Sequence, residues 1–366
     1  MDKPIRVLQI IGDVVGGGVE NVIMNYYRHI DKSKIQFDFV VHEGALESYI
    51  REVENYGGNI FVIPSYRMNI LKYTYDIYKI IKENKYNIVH SNMNSLSGFP
   101  LMAAYFAGAK VRILHNHTTD SPEEGIRTLI KRILRPFAKM FANQYWACSK
   151  LAAEWMYGKK VVKENKVTII NNAIDLDKFK FDKEKREKIR KKLGLENCFV
   201  IGHVGRFEKT KNHNFLIGVF YEILKQKPFA KLLLVGDGSL KDKIQIQVEK
   251  LGLAEKVIFL GVRNDVADLY NVMDVFVFPS LYEGLGMSVI EAQVNGLPVI
   301  ASNVISDEAK VNDNIELFSL HQYLKDWCNE VENAKRKELN MNGELLKKFD
   351  IRKECKKLES LYLKLA

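Results

Sequence analysis

Two glutamates stand eight residues apart, where an apolar run gives way to a helical pattern. Glu283 comes shortly after the run that ends at Phe278, and Glu291 lies within the next helical stretch. Eight residues are just over two helical turns, so both carboxylates can lie on one side. Gly284 and Gly286 would expose backbone N–H groups at a helix N-terminus, where phosphate binds. This spacing also arises by chance, but the glycines and the strand–helix context make it specific for a phosphate-bearing ligand.

Two cations lie in the turn that follows another buried run. Arg206 and Lys211 are five residues apart, after the strand candidate at residues 199–204. Beyond the C-terminal end of a parallel strand, both side chains can converge on one point. Arginine supplies a planar fork and lysine a point charge, a pairing that suits a diphosphate. The alternative is that both are exposed surface cations.

A glycine-rich loop follows the first predicted strand. Gly16, Gly17 and Gly18 would let backbone N–H groups approach an anion at a helix N-terminus. The spacing is not Gly-x-Gly-x-x-Gly, and residues 235–239 also miss it, because Lys241 stands in the third glycine's place. A nicotinamide-dependent enzyme therefore loses its best sequence evidence. The alternative for both loops is that the glycines only turn the chain.

The elements that must position these residues alternate along the chain. Continuous apolar runs separated by helical patterns indicate parallel strands covered on both faces. We therefore expect an α/β protein with two doubly wound sheets. The predicted strands are residues 5–11, 37–41, 60–63, 88–90, 111–115, 144–147, 167–170, 199–204, 231–235, 257–260, 275–278 and 298–301.

A charged segment divides the runs into two groups. Residues 175–195 are rich in Lys, Asp and Glu, and no strand fits there. We predict one domain over residues 1–185, a second over 186–345, and a C-terminal helix over 346–366. The last strongly strand-like run ends near Ala301, and residues 321–366 have a helical pattern.

Composition excludes several classes of protein. The chain has 366 residues, of which 47% are hydrophobic and 27% charged, as in ordinary globular proteins. Its four cysteines form no Cys-x2-Cys pair, which excludes a zinc ribbon and a disulfide framework and predicts a reducing compartment. There is no N-terminal apolar signal region and no run of 18 apolar residues. We expect a cytoplasmic protein without a membrane span.

Positive charge is concentrated in the first half of the chain. Nearly all of the net charge of +10 lies within residues 1–190. Residues 127–139 carry a cation at every fourth position with apolar residues between, which predicts an amphipathic helix with a basic face that Pro136 would kink or interrupt. The helix would either pack on its own domain or contact an anionic membrane surface. No zinc finger, RNA-recognition signature or dense basic tract favours a nucleic-acid partner.

Four motifs occur in the order that a known enzyme family has. They are the glycine loop at residues 16–20, Asn-Ala-Ile-Asp at 172–175, the cationic loop at 205–211, and the Glu283 and Glu291 pair. Together they resemble the family-four retaining glycosyltransferases over nearly the whole chain, most specifically in its second half. The resemblance implies the GT-B fold: two Rossmann-like domains face a cleft, and the final helix crosses back to the N-terminal domain. The acceptor would bind the first domain and the nucleotide-sugar the second.

The resemblance also implies a role for each motif residue. Glu291 would bind the ribose hydroxyls, and Glu283 would bind hydroxyls of the donor sugar. Arg206 and Lys211 would hold the diphosphate. The catalytic residues would be His117, Glu283, Arg206 and Lys211. The donor-binding residues would be Gly17, Gly18, Arg206, Lys211, Val262, Arg263, Glu283, Gly284, Leu285, Gly286, Met287 and Glu291.

Two further contacts are implied at the ends of the donor. The backbone near Val262 and Arg263 would contact the base. Relatives have a histidine beside the sugar, after a strand of the N-terminal domain, and here His115 and His117 stand at such a place. We favour His117, because it lies further beyond the predicted strand. A buried or capping role is the alternative for either.

The sequence departs from the family pattern at two places. Residues 172–175 read Asn-Ala-Ile-Asp, whereas most relatives have Asn-Gly-Ile-Asp. After Ala301, residues 302–308 replace the usual glycine-rich turn with its following glutamate. The second departure resembles a subset that is associated with exopolysaccharide assembly.

The resemblance implies transfer of a sugar, with retention, from a nucleotide-sugar to a growing, lipid-linked cell-surface polysaccharide or exopolysaccharide. A UDP-sugar is favoured because it is common among relatives. We expect no cofactor and no metal, because no Asp-x-Asp motif sits at a strand end and the two cations can replace Mg²⁺. The enzyme would lie in the cytoplasm, at the inner face of the membrane. The alternatives are a sugar-nucleotide epimerase and a non-catalytic nucleotide-sugar-binding partner of another transferase.

Overall fold

The chain forms two compact units, each with its own sheet and core. The computed structural model describes residues 3–14, 18–119, 126–337 and 343–366. The first unit comprises Met1–Ile174 together with Lys348–Ala366, and the second comprises Asp175–Lys347. The strands are β1 (Ile5–Gly12), β2 (Ile35–His42), β3 (Ile60–Ile63), β4 (Ile88–Ser91), β5 (Val111–Asn116), β6 (Gln144–Ala147), β7 (Thr168–Ile169), β8 (Phe199–Val204), β9 (Ala230–Val235), β10 (Val257–Gly261), β11 (Val275–Phe278), β12 (Val299–Ser302) and β13 (Ile315–Phe318).

Helices connect the strands, as parallel pairing requires. They are α1 (Gly18–His29), α2 (Glu47–Asn55), α3 (Ile70–Asn84), α4 (Gly98–Ala107), α5 (Ile126–Phe141), α6 (Lys150–Tyr157), α7 (Lys159–Lys163), α8 (Leu176–Phe179), α9 (Lys183–Lys192), α10 (His213–Leu224), α11 (Lys241–Lys250), α12 (Val266–Val272), α13 (Met287–Val294), α14 (Leu324–Asn333), α15 (Glu344–Lys347) and α16 (Ile351–Leu365).

Both sheets have the doubly wound order that the apolar runs predict. Within the described residues the first sheet has seven strands, in the order β3-β2-β1-β4-β5-β6-β7, and the second has six, in the order β10-β9-β8-β11-β12-β13. All the paired strands are parallel. Every residue of β2 is buried, as expected of a strand that helices cover on both faces. The order reverses beside β1 and beside β8, and ligands bind at such points in open α/β sheets.

The edge strand β13 was not predicted. The expectation that the last strand ends near Ala301 is wrong, because Ile315–Phe318 pairs with β12. Its sequence, Ile-Glu-Leu-Phe, is only partly buried, so it lacks the continuous apolar run that marks the interior strands. An edge strand that is half exposed gives a weaker pattern.

The C-terminal helix belongs to the first unit, as the resemblance implies. Asp350 caps α16, accepting a hydrogen bond of 3.0 Å from the Arg352 backbone N–H. The helix buries Leu358 and Tyr362 in the core, with the Tyr362 ring centroid 5.6 Å from that of Trp146. Burial of an aliphatic side chain such as Leu358 contributes roughly 1.5–3 kcal/mol. The last 19 residues therefore complete the core that the N-terminal chain begins.

The units divide earlier than the sequence predicts. We predict the division after residue 185, but the structure places it after Ile174. The charged segment belongs to the second unit because its cations bind there. The Arg186 guanidinium donates to Asp274 Oδ1 at 2.6 Å, and that of Arg190 donates to Asp274 Oδ2 at 3.2 Å. These partners are about 85 residues away in sequence, so composition alone could not reveal them.

Candidate active site

The predicted site motifs of the second unit lie at the edge of its sheet that the C-terminal ends of the strands form. Residues 205–211 follow β8, and residues 279–286 follow β11. These strands are parallel neighbours at the point where the strand order reverses. The Leu281 backbone N–H donates to the Thr210 carbonyl at 2.7 Å, which joins the two turns directly. The topology therefore brings together motifs that lie more than 70 residues apart.

Lys211 and Glu283 form an ion pair at this edge. The Lys211 ammonium donates to Glu283 Oε2, and both side chains are 17% exposed. The Lys211 Nζ also lies 4.4 Å from the centroid of the Phe278 ring, within the range of a cation–π contact. Glu283 and Lys211, which the sequence indicates separately, thus form one ion pair, in which the carboxylate balances the charge of the ammonium.

The helix α13 begins beside this pair. Gly286 has a φ of +75° and precedes Met287, the first residue of the helix, and no side chain caps it. A Cβ at Gly286 would lie 3.3 Å from Glu283 Cγ, so both the backbone conformation and the close approach favour glycine. Space around Gly284 is open, whereas Leu285 is buried. The start of α13 is therefore an electropositive helix end without a capping side chain, suited to an anion.

Glu291 is held within α13 by a tyrosine. The Tyr270 hydroxyl, on α12, donates to Glu291 Oε2 at 2.8 Å. Burial raises the pKa of Glu291, and the Tyr270 hydrogen bond partly opposes this effect. One carboxylate oxygen is thus fixed in position, and the second can accept hydrogen bonds from a ligand.

The other predicted residues of this unit differ in their partners. Arg206 is exposed, and its guanidinium has no ion-pair partner in the described part of the chain. Arg263 is engaged, because its Nε and Nη2 donate to the Asp265 carboxylate at 2.8 and 2.6 Å. Val262 lies just beyond the end of β10 and is 52% exposed. Arg206 is therefore the available cation, while Lys211 already has a partner.

The two glycine-rich loops differ in what the structure shows. Gly236 has a φ of +137°, and a Cβ there would lie 2.1 Å from the Gly205 carbonyl oxygen. That loop needs glycine in order to pack against the cationic loop, which supports its structural interpretation. In the first loop, Gly16 and Gly17 lie outside the described residues. Gly18 begins α1, with open space where a Cβ would stand.

His115 and His117 have different environments. His115 lies within β5, is buried, and its Nδ1 is 3.0 Å from Nε2 of His90. His117 lies beyond the end of the strand, where its Nε2 is 3.0 Å from Asn92 Oδ1. Burial lowers the pKa of His117 to about 4, so the imidazole is neutral at pH 7. The structure thus separates a sheet histidine from one that stands at the sheet edge.

The predicted basic helix is present and exposes apolar side chains. Helix α5 continues through Pro136 rather than ending there. Leu129 is 58% exposed and Ile133 65% exposed, so these residues do not pack on the domain. Arg135 donates to the Trp155 carbonyl and lies over the Trp155 ring. Helix α5 thus contacts its own domain and still leaves the apolar side chains of Leu129 and Ile133 in solvent.

Sequence reasoning missed Tyr270 and Asn92. Asn92 directly follows β4, and a polar residue beyond a strand end was the signal that selected His117. Tyr270 gave no such signal, because its approach to Glu291 depends on how α12 packs against α13.

Among the described residues, no group of three or more His, Cys, Asp or Glu side chains could hold a metal ion. In the same residues, no helix has the length and apolar character needed to cross a membrane.

Family models match both units. The model described as "Glycosyltransferase Family 4" matches residues 16–178, and the one described as "Glycosyl transferases group 1" matches residues 185–337. The chain is 33% identical over 338 residues to "Putative glycosyltransferase EpsF" of Bacillus subtilis, with 90% of this chain and 87% of that protein covered.

Other relatives match along almost the whole chain. An Escherichia coli UDP-Gal:alpha-D-GlcNAc-diphosphoundecaprenol alpha-1,3-galactosyltransferase is 27% identical, with 94% of this chain and 93% of that protein covered. The capsular polysaccharide biosynthesis glycosyltransferase CapH of Staphylococcus aureus is 26% identical, with 98% and 99% covered. The crystal structure of Anabaena Alr3699/HepE with UDP-glucose has a TM-score of 0.73 at 22% identity, covering 97% of this chain and 94% of that one. The chain therefore belongs to the family-four glycosyltransferases and has their GT-B fold.

Proposed function

We propose that this glycosyltransferase moves a sugar from a UDP-sugar to a lipid-linked glycan during cell-surface polysaccharide assembly, with retention of the anomeric configuration. The observation that carries the proposal is the Lys211–Glu283 pair beside the uncapped start of α13. The relatives support the substrates, because the E. coli enzyme is named for UDP-Gal and a diphosphoundecaprenol acceptor. The name of CapH, a capsular polysaccharide biosynthesis glycosyltransferase, supports a role in polysaccharide assembly.

The donor's charge would rearrange the ion pair. A diphosphate brings negative charge to the start of α13. Arg206 is exposed, and Lys211 is held beside this helix end by its ion pair with Glu283. Lys211 would turn toward the phosphates and release the Glu283 carboxylate. That carboxylate could then accept hydrogen bonds from hydroxyls of the donor sugar. Donor binding would thereby give each member of the pair a new partner.

The second glutamate would bind the other part of the nucleotide. A carboxylate with two oxygens can accept hydrogen bonds from the two neighbouring ribose hydroxyls. Tyr270 fixes the Glu291 side chain, so little side-chain entropy is lost on binding. Val262 is an exposed residue, and its backbone would contact the base.

Charge develops on the leaving group during the transfer. The bond between the anomeric carbon and the phosphate oxygen breaks, and a bond to the acceptor hydroxyl oxygen forms on the same face. The hydroxyl proton passes to the departing phosphate oxygen. Arg206, Lys211 and the α13 N-terminus would stabilise the growing negative charge, and one such preorganised donor contributes roughly 3–4 kcal/mol. These cations would take the place of a metal ion.

Thermal stabilisation by nucleotide-sugars in EDTA tests the donor site. We expect UDP-sugars to raise the melting temperature, and GDP- and ADP-sugars to raise it less. A ligand at 100 times its Kd stabilises the folded protein by about 2.7 kcal/mol. If stabilisation appears only when a divalent ion is added, the metal-independent site is wrong. If no nucleotide-sugar stabilises the folded protein, the donor assignment itself is wrong.

An apolar groove on the first unit would bring the enzyme to the membrane that carries a lipid-linked acceptor. The groove has a volume of about 280 Å³ and lies between α3 and α4, lined by Leu71, Tyr75 and Phe106 among others. Leu71 is 79% exposed and Phe106 66% exposed. The groove continues toward α5, since the ring centroids of Phe99 and Phe137 are 5.2 Å apart.

The charge beside the groove favours an anionic lipid surface as its partner. Helix α5 carries Lys131, Arg132, Arg135 and Lys139, among exposed apolar side chains. Such a combination inserts apolar groups at the lipid interface while the cations attract anionic headgroups. We therefore propose that the α3–α5 face contacts the anionic inner face of the membrane.

Substituting Leu129 and Ile133 with serine should weaken vesicle binding by at least about tenfold, because two exposed apolar groups would no longer enter the lipid. The measurement is co-sedimentation with phosphatidylglycerol-containing vesicles at low salt. Ile246→Ser is the matched control, since Ile246 is 50% exposed on α11 of the second unit. Equal binding of both variants, or no binding of the unmodified protein, would contradict the proposed face.

A further inference from the structure

A chain of buried hydrogen bonds connects the C-terminal helix to His117. Gln9 and His90 are register partners on β1 and β4. Gln9 Nε2 donates to the Tyr362 hydroxyl at 3.0 Å, and Tyr362 is hydrogen-bonded to His90 Nδ1 at 2.6 Å. Asn92 Nδ2 donates to Gln9 Oε1 at 3.0 Å, and the Asn92 Oδ1 atom is 3.0 Å from His117 Nε2. Tyr362 is thus linked to His117 through Gln9 and Asn92.

A backbone carbonyl fixes the direction of these hydrogen bonds. Asn92 Nδ2 lies 3.4 Å from the His90 carbonyl oxygen, which can only accept. The amide nitrogen of Asn92 must therefore face that carbonyl and Gln9 Oε1, and its oxygen must face His117. Because Gln9 Oε1 accepts from Asn92 Nδ2, the Gln9 nitrogen faces the Tyr362 hydroxyl. The reverse orientation would place two oxygens against each other at His90 and Asn92.

The direction of these hydrogen bonds determines the tautomer of His117. Because Asn92 Oδ1 is an acceptor, Nε2 of His117 must carry the proton and donate it. In the neutral ring, Nδ1 then carries a lone pair. This nitrogen is buried and has no hydrogen-bond partner in the described part of the chain. The His117 backbone is held as well, since its N–H donates to Asn94 Oδ1 at 2.7 Å.

We propose that Tyr362, Gln9 and Asn92 are positioning residues that hold His117 in the Nε2–H tautomer, so that its Nδ1 accepts a hydrogen bond from a sugar hydroxyl of a substrate. A buried acceptor without a partner is costly, and a hydroxyl supplies the donor it lacks. Since Nδ1 is buried in the free protein, a local shift of its neighbours accompanies binding. The Asn172 side chain lies beside the same imidazole and raises the pKa of His117, which partly opposes the larger effect of burial.

The substrate part of this inference rests on the proposed function, but the tautomer does not. Long-range ¹⁵N–¹H spectra of the full-length protein, labelled at histidine, distinguish a protonated from an unprotonated nitrogen. The His117→Gln variant assigns the resonances. We expect Nε2 protonated and Nδ1 unprotonated at pH 7, and Asn92→Ala to yield a mixture of both forms. A protonated Nδ1 of His117 in the unmodified protein would overturn the proposed tautomer, whether or not the enzyme transfers sugar.

Two substitutions at His117 test which nitrogen matters. The asparagine amide oxygen can stand where Nδ1 does, whereas the glutamine amide reaches the position of Nε2. His117→Asn should therefore retain at least about tenfold more activity than His117→Gln. Equal activity of the two variants would contradict an acceptor at Nδ1.

Substitutions at the residues that are hydrogen-bonded to one another between Tyr362 and His117 test the positioning role. Asn92→Ala should lower kcat about tenfold with a smaller change in KM, because a displaced ring loses alignment in the transition state. Tyr362→Phe should lower kcat by a few-fold. Tyr49→Phe is the matched control, since Tyr49 is also buried in this unit and its hydroxyl has no partner in the described residues. If Tyr362→Phe and Tyr49→Phe behave alike while the protein stays folded, Tyr362 has no positioning role.

Discussion

Lys211→Ala is expected to lower kcat for sugar transfer by about 10²- to 10³-fold, the usual effect of removing one preorganised group that stabilises developing charge. In the free protein, the ion pair with Glu283 and the Phe278 ring hold Lys211 beside the proposed diphosphate site. KM for the donor should change less, because negative charge on the phosphate is greatest as it departs. Initial rates at saturating donor, with the purified variant, measure the effect.

Glu283→Ala should also lose most of the transfer rate. The double variant should be only slightly slower than either single one, because two groups that act as a unit are not additive. Lys243→Ala, an exposed cation on α11, is the control for a general loss of positive charge. Folded single variants that keep most of their activity would refute the role of the pair. Additive losses would show that the two residues act separately.

Glu291→Ala should raise KM for the nucleotide-sugar about 10- to 100-fold, while kcat changes little. A hydrogen bond to a charged group contributes roughly 1.5–3 kcal/mol, and the ribose is far from the bond that breaks. Tyr270→Phe should raise KM by less, because it removes the 2.8 Å hydrogen bond that fixes the carboxylate but keeps the carboxylate itself. Donor titrations with a constant acceptor concentration separate the two parameters.

The comparison between these variants also discriminates among causes. If Glu291→Ala lowered kcat as strongly as Lys211→Ala did, Glu291 would act on the reacting atoms rather than on the nucleotide. An unchanged KM in Glu291→Ala would contradict ribose binding at this residue. Circular dichroism and melting curves of each variant establish that it is folded.

The fold could be predicted from the sequence wherever strands are buried on both faces. The β11 sequence is continuously apolar and the β8 sequence is interrupted only by Gly202 and His203, and the predicted residues 199–204 and 275–278 coincide with these strands. β13 could not be recognised, because a partly buried edge strand with Glu316 at its second residue lacks that pattern. The boundary could not be placed within the charged segment, because Asp274, which binds Arg186, is remote in sequence.

The candidate site could be predicted in part. Glu283 and Glu291 were selected by their spacing and glycines, and Lys211 by its position after a buried strand. The ion pair between Lys211 and Glu283 was not predicted, because it depends on β8 and β11 being neighbours in the sheet. The link from Tyr362 to Gln9 was beyond reach for the same reason, since it spans 353 positions and depends on the return of the last helix.

The most direct test of the account is a transfer assay in EDTA with a synthetic lipid-diphosphate-linked sugar as acceptor and the UDP-sugars as donors. Product mass and the anomeric coupling constants of the new linkage are measured, with Lys211→Ala as the inactive control. The account predicts a product one sugar longer, with the anomeric configuration of the donor, and almost none from Lys211→Ala. An inverted linkage would contradict retention. Epimerised UDP-sugar without a longer acceptor, or equal product from Lys211→Ala, would contradict transfer at this site.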